Sequence, residues 1–332
     1  MSKAPQTNEE FLRREVDKLR RQVKRLKLIQ GVVAEAATVA LASSPPILVG
    51  KPQKHPKRKE TEVAVAHLSD VQWGKRTVSY SSDLARARCM EFAHKVVKCI
   101  ERHRHYANVD EIVLLLGGDM IEGEIIFAHQ AHEIDQSVID QALRDAPACF
   151  ASIIFYFLEH VRRVRVATVP GNHGRVVPKH IPANPKANWD VVAYEVTQHI
   201  VEKSAAGRNR VAWQHAKDWY VIEDVLGHKL MMIHGHELRS SAHTSILSSM
   251  GGWIDSVQEE WHHLFIGHFH NLRTGYLNRR AYYINGTTES DAEYARQKLA
   301  SAGRPVQRLQ FWNKAHGMIA DRPIYLDEGW TR

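Results

Sequence analysis

The sequence predicts an α/β protein in which helices cover both faces of a sheet. From Thr61 onward, strand-length apolar runs alternate with helical patterns. The leading runs are apolar throughout, as strands buried on both faces are. Each strand also ends beside glycines and a residue able to hold a metal ion, a placement that layered α/β proteins use for their sites.

The elements follow in chain order. Leu12, Val16, Leu19, Val23, Leu26 and Val33 recur at 4-3-4-3 spacing, with Gln30 at the one polar seam position. β-Branched residues at a and Leu at d suit a parallel two-stranded coil, so residues 1–44 read as a basic amphipathic helix that implies a homodimer. The competing reading packs the same helix on its own body. Residues 45–60, with Pro45-Pro46 and the Lys-rich run from Lys51 to Lys59, read as an extended linker. Residues 61–332 form the folded domain. Its expected strands are Val63–Leu68, Ile112–Leu116, Val164–Val169, Trp219–Val225, Lys229–Ile233, Leu264–Ile266 and Ala281–Ile284. Helices are expected at 83–105, 135–160, 187–206, 242–258 and 289–301.

Composition narrows the function. The 332 residues carry 45 Lys and Arg against 37 Asp and Glu, a net charge of +8. Residues 1–60 hold 14 basic and 6 acidic residues, so the whole excess lies in the arm and the body is neutral. A basic arm on a neutral body implies a polyanionic partner, nucleic acid before membrane; the competing reading is a solvated tail. Three scattered cysteines without CxxC spacing fit a reducing, intracellular setting and offer no thiolate metal site. The most apolar stretch, Ala36 to Gly50, is too short to span a membrane and is broken by prolines, and no secretory signal is visible, so a soluble cytoplasmic protein is expected.

The strand ends carry the chemistry. They read Ser69-Asp70-Val71-Gln72, then Gly117-Gly118-Asp119-Met120-Ile121-Glu122, then Pro170-Gly171-Asn172-His173-Gly174-Arg175, then His234-Gly235-His236, then Gly267-His268-Phe269-His270. Each is weak alone, since GD and GNH are also common turns. Together they would bring two Asp, one Asn and several His to one rim.

In this order the motifs resemble the calcineurin-like metallophosphoesterase superfamily from about Ala64 to Gly286, and within it look most like SbcD-type DNA exonucleases and related phage phosphoesterases. The resemblance implies a four-layer α/β/β/α sandwich, here preceded by the helical, coiled-coil-like arm, and a phage-encoded protein acting in a bacterial host. It implies two divalent metals: Asp70, Gln72, Asp119 and His270 around one, and Asp119, Asn172, His234 and His268 around the other. An O/N ligand set suits Mn2+ first, with Fe, Zn or Mg as alternatives. A hydroxide bridging the metals would be the nucleophile. His173 would protonate the leaving alkoxide, Glu122 would orient a His or a water, and Arg175 would grip a phosphate oxygen. His129, His132 and His236 read as cleft residues of structural rather than catalytic type.

Three departures shape the expectation. Gln72 stands where the family has His, a neutral and harder ligand, so that metal should be weaker and favour Mn or Mg; otherwise Gln72 is no ligand. Glu122 stands where SbcD-type enzymes commonly have His. The short stretch after His270 leaves little room for a DNA-capping domain, so docking to an ATPase is not implied. The resulting expectation is a phosphodiesterase on nucleic acid, DNA foremost. The alternatives are a phosphatase on phosphoprotein or nucleotide, and a non-catalytic nucleic-acid-binding or assembly protein.

Overall fold

The structure, a computed structural model, describes residues 60–127, 130–178, 181, 184–290 and 304–327, together with 16, 17, 20, 21, 24 and 50. The chain divides into two units, Met1–Pro45 and Pro46–Arg332. In the first, Val16, Asp17, Arg20, Arg21 and Lys24 are helical and exposed. The seam positions Leu12, Leu19, Val23, Leu26, Gln30 and Val33, and the linker run 51–59, lie outside the described residues.

The second unit is built on two sheets. The first contains β1 (Thr61–Leu68), β2 (Asn108–Leu116), β3 (Arg163–Thr168), β4 (Val211–His215), β10 (Val306–Asn313) and β11 (Gly317–Tyr325), in the order β11-β10-β1-β2-β3-β4. Strands β1 to β4 are parallel, and β10 and β11 close the sheet antiparallel. The second contains β5 (Tyr220–Val225), β6 (His228–Ile233), β7 (His263–Ile266), β8 (Arg273–Leu277) and β9 (Arg280–Ile284), in the order β5-β6-β7-β9-β8. Its central strands β6, β7 and β9 are parallel, and its edges β5 and β8 antiparallel.

Alternation along the strands sorts the core into three layers. In β1, Ala64, Ala66 and Leu68 face the helices while Val63 and Val65 face the other sheet. In β7, Phe265 points between the sheets while Leu264 and Ile266 point outward. Helices α1 (Ser82–His103), α2 (Ala146–His160) and α3 (Trp189–Glu202) cover the first sheet through Phe92, Phe150, Ile154 and Tyr194. After α4 (Ala205–Arg210), α5 (His243–Ser256) covers the second sheet through Ile246 and Met250. The order is therefore helix, sheet, sheet, helix, the four-layer α/β/β/α sandwich. Each fully buried Leu, Val or Phe contributes about 1.5–3 kcal/mol, so these layers hold the frame against which strained loops can be built.

Differences from the sequence reading are local. The expected helix 187–206 ends at Glu202, and Ser204 caps a separate turn by accepting from the Gly207 N–H at 2.8 Å. The expected helix 289–301 does not begin at Glu289 or Ser290, which are non-helical, and residues 291–303 lie outside the described residues. Strands β4, β8, β10 and β11 are additions. No helix among the described residues is long and apolar enough to cross a membrane.

Candidate metal centre

Five loops meet at one end of the sandwich because β1, β2 and β3 run parallel in one sheet and β6 and β7 run parallel in the other. Beyond the strands, pairing continues between loops: the Asp70 N–H donates to the Gly118 carbonyl at 3.0 Å and the Gln72 N–H to the Asp119 carbonyl at 2.8 Å. Contacts also cross between the sheets. The His268 N–H donates to both Asp70 oxygens, at 2.9 and 3.0 Å, and His234 Nδ1 lies 2.8 Å from the Gly117 carbonyl. A carbonyl only accepts, so Nδ1 carries the proton and donates.

The backbone is strained where the expected ligands sit. Seven described non-glycine residues have positive φ, and five of them are Asp70, Gln72, Asp119, His268 and His270, between 47° and 67°. Each costs about 1–2 kcal/mol relative to ordinary backbone, which only surrounding contacts can hold in place. Gly171 permits the close approach of the second and third loops, since a Cβ there would lie 2.1 Å from the Asp119 amide nitrogen.

The holding contacts come chiefly from Asp190 at the start of α3, which the sequence reading missed. Its carboxylate is fully buried and accepts four backbone N–H groups: Asp119 at 2.9 Å, Met120 at 3.0 Å, Ile121 at 2.9 Å and Gly171 at 2.8 Å. Burial and then the Asp119 charge push the Asp190 carboxyl up to about 6, against the pull of these donors. Asn188 caps the helix and donates to the Gly171 carbonyl at 2.7 Å. In sequence the pair looks like any helix start, and nothing local marks it. On the other side, Asn285, Thr287 and Gln307 bond the Ser69–Asp70 segment, including Thr287 Oγ1 to the Asp70 carbonyl at 2.8 Å.

The predicted ligands divide into two groups. Ligand atoms of Asp119, His234 and His268 lie within 4.8 Å of one another. Asp119 Oδ1 accepts the His173 N–H at 2.7 Å, whereas Oδ2 is buried without a hydrogen bond although His234 Nε2 stands 3.0 Å away. Asn172 Oδ1 lies 3.2 Å from the same nitrogen. Burial disfavours a charged His234, but Asp119 outweighs it and lifts the imidazole to about 10; Asp119 itself, despite burial, is held well below the usual carboxylate range by His234 and His173. A cation bound here would displace that proton. His268 is pushed down to about 4 by burial and by His234, so it offers a neutral imidazole. The orphaned oxygen and the two imidazoles fit a divalent metal.

In the second group, Asp70 is buried and accepts from Ser69 Oγ at 2.6 Å, with His270 Nε2 3.3 Å from Oδ1. His270 holds the Asp70 carboxyl below its ordinary value although burial opposes this. Gln72 is already engaged by neighbours: Lys75 Nζ donates to its Oε1 at 3.1 Å, and its Nε2 lies 3.4 Å from His173 Nε2. Lys75 also pairs with Glu289 at 2.8 Å, and Glu289 lies 3.8 Å from His270 Nδ1. Against burial, Glu289 holds the ammonium above its ordinary value.

Around these groups, Glu122 accepts from His173 Nδ1 at 3.0 Å, leaving His173 Nε2 on the side of Asp119 Oδ2, 3.8 Å away. Burial opposes a charged His173, but Glu122 and Asp119 raise it to about 9. Gln130, in a 3-10 turn with the exposed His132, lies 3.4 Å from the same Nδ1. Arg175 donates to the Ile181 carbonyl at 2.7 Å. The His236 ring centroid is 5.5 Å from that of His234, at the rim, and His129 lies outside the described residues.

No protein-family model and no curated protein matches the chain. Solved structures match weakly. One is an archaeal phosphodiesterase, 10% identical over 79% of this chain and 99% of that one, with a TM-score of 0.36. Another is a predicted phosphoesterase from Streptococcus pneumoniae, 8% identical over 79% and 97%, with a TM-score of 0.32. A third is Vps29 from Entamoeba histolytica complexed with zinc, 9% identical over 80% and 99%, with a TM-score of 0.33.

Proposed function

We propose that the chain is a metal-dependent phosphodiesterase acting on nucleic acid, DNA foremost. One observation carries the reading: the unpartnered Asp119 Oδ2 faces His234 and lies 3.8 Å from the nitrogen of His173, whose other nitrogen Glu122 holds. Ligand set and proton donor thus converge on one carboxylate.

Asp119, Asn172, His234 and His268 would hold one divalent ion, Mn2+ foremost, and Asp70, His270 and Gln72 a second, with Asp119 shared. Ions bound there would supply a Lewis acid and lower the pKa of water to near neutrality. Water, giving up one proton to solvent, would add to phosphorus in line; the P–O ester bond breaks, the departing alkoxide takes the proton from His173 Nε2, and His173 regains a proton from solvent. Glu122 keeps that imidazole protonated and turned toward the cleft. The basic arm supplies non-specific attraction to DNA and the seam for a homodimer, and the free cysteines Cys89, Cys99 and Cys149 support an intracellular setting.

The test compares bis-p-nitrophenyl phosphate with p-nitrophenyl phosphate, then labelled duplex and single-stranded DNA, each with Mn2+, Mg2+ or Zn2+. Faster diester cleavage that extends to DNA supports the reading. Preference for the monoester makes the protein a phosphatase, and metal binding without hydrolysis of any substrate makes it a binding protein. Removing residues 1–60 should leave small-diester hydrolysis nearly unchanged while DNA affinity and its salt dependence fall, since each phosphate-contacting Lys or Arg contributes about −0.9 to the log–log slope. An unchanged slope would assign the arm to solvation alone.

A further inference from the structure

The two ligand groups differ in one charged neighbour. Lys75 is a mostly buried lysine whose ammonium lies 3.1 Å from Gln72 Oε1, the one atom through which an amide side chain ligates a metal ion. A divalent ion sits about 2.0–2.6 Å from an oxygen ligand. An ion on Gln72 Oε1 would therefore share that oxygen with a fixed positive charge, at a separation of at most about 6 Å by the same bond lengths. Like charges this close in a buried site repel strongly. The tie is fixed from behind, because Glu289 holds the ammonium at 2.8 Å and is itself buried. No ammonium is bonded to a ligand oxygen of the other group among the described ion pairs: Asp119 Oδ2 has within 4 Å His234, itself a ligand whose Nε2 proton an ion would replace, and His173 at 3.8 Å, whose charge Glu122 balances at 3.0 Å.

We propose that Lys75 competes with the metal ion at the Asp70–Gln72–His270 position, so that this position fills after, and more weakly than, the Asp119–Asn172–His234–His268 position. The inference rests on the metal-centre reading above and adds an order to its loading. Glu289 acts in the opposite sense. Its second oxygen lies 3.8 Å from His270 Nδ1, the nitrogen that must carry the proton if Nε2 is to ligate. It orients His270 toward the ion while restraining Lys75 beside it.

The test is calorimetric titration of chelator-stripped, full-length protein with Mn2+, without substrate. Two classes of site are expected, the weaker by at least tenfold. Asp70→Asn should remove the weaker class and His268→Ala the stronger. Lys75→Met should tighten the weaker class by tenfold or more and leave the stronger within twofold. Lys75→Gln repeats the measurement with a second neutral side chain, and Lys75→Arg should keep the wild-type ratio. Glu289→Gln should loosen the weaker class. A second equivalent seen only in Lys75→Met supports the proposal in its extreme form. Two equal classes in the wild type, or a weaker class unmoved in both neutral variants, would overturn it while leaving the metal centre standing. Binding of no metal by any form would overturn the reading of the site itself.

Discussion

Left-handed backbone occurs in two settings in this protein, and they are stabilised differently. Leu226 and Asn278 adopt it in the tight turns between β5 and β6 and between β8 and β9, at φ of 56° and 55°. There the strain is local: Gly227 completes one turn, and antiparallel pairing on both sides holds each. Asp70, Gln72, Asp119, His268 and His270 adopt the same conformation with no hairpin to impose it. They are held by distant residues, Asp190 across from the second and third loops and Asn285 with Gln307 behind the first. Strain kept by tertiary contacts coincides with the loops proposed to carry the chemistry, and strain kept by a turn does not.

The sharpest way to break this comparison is Asp119→Asn. Asn tolerates left-handed backbone, so the turn survives while the shared charge is lost. Turnover should fall at least about 10²–10³-fold, the size of loss seen when a preorganised charge-stabilising group is removed. Undiminished turnover after chelation and Mn2+ re-addition would end the shared-ligand reading. His173 is outside the left-handed set, so His173→Ala should spare both fold and metal affinity. Hydrolysis of esters with poor leaving groups should fall about 10²–10⁴-fold, and of p-nitrophenyl esters much less; equal losses on both would deny it the proton-donor role.

Asp190 separates holding from ligation. Asp190→Asn turns one acceptor oxygen into a donor facing N–H groups, so Mn2+ affinity should drop about 10–100-fold, as it does when groups behind a ligand are removed. Denaturant melts should show a loss of at least about 2 kcal/mol, because buried N–H groups left unpaired cost about 1–3 kcal/mol each. Wild-type Mn2+ affinity in a folded Asp190→Asn protein would show that the loops hold themselves. The smallest effect belongs to the hairpin control. Asn278→Ala should cost about 1 kcal/mol in the same melts and leave metal affinity untouched. A change in affinity there would mean that turn strain and site strain are coupled.

The sequence displayed the strands whose ends bear the proposed ligands because β1, β2, β3, β6 and β7 are buried on both faces and so read as apolar runs. It concealed β10, Val306–Asn313, which is buried along its whole length yet contains Gln307, Arg308 and Gln310. Gln307 and Arg308 have tertiary partners, the Ser69 backbone and Asp321, and a partner 238 residues away leaves no local pattern. β11 was hidden by its charges and Pro323, which an exposed edge strand tolerates. The candidate ligands Asp119, Asn172, His234 and His268 stood out because glycine beside Asp, Asn or His is a short-range signal. Asp190 and Glu289 did not, since each acts on a loop from another part of the chain, and Lys75 did not, since nothing in the sequence shows that its side chain turns back onto Gln72 and reaches Glu289.

The ligand loops also have a mechanical side. Asp70, Asp119 and Asn172 belong to one sheet, His234, His268 and His270 to the other, and only the layer of inter-sheet side chains and a few cross-sheet hydrogen bonds join them at that end. An ion gripping both rims would act as a rivet. Its binding energy would enter the free energy of parting the sheets as RT ln(1 + [M]/Kd), about 2.7 kcal/mol at a hundredfold excess over Kd. Amide hydrogens of β6 and β7 would then exchange more slowly as Mn2+ rises, while those of the far edges β8 and β11 would keep their own pace.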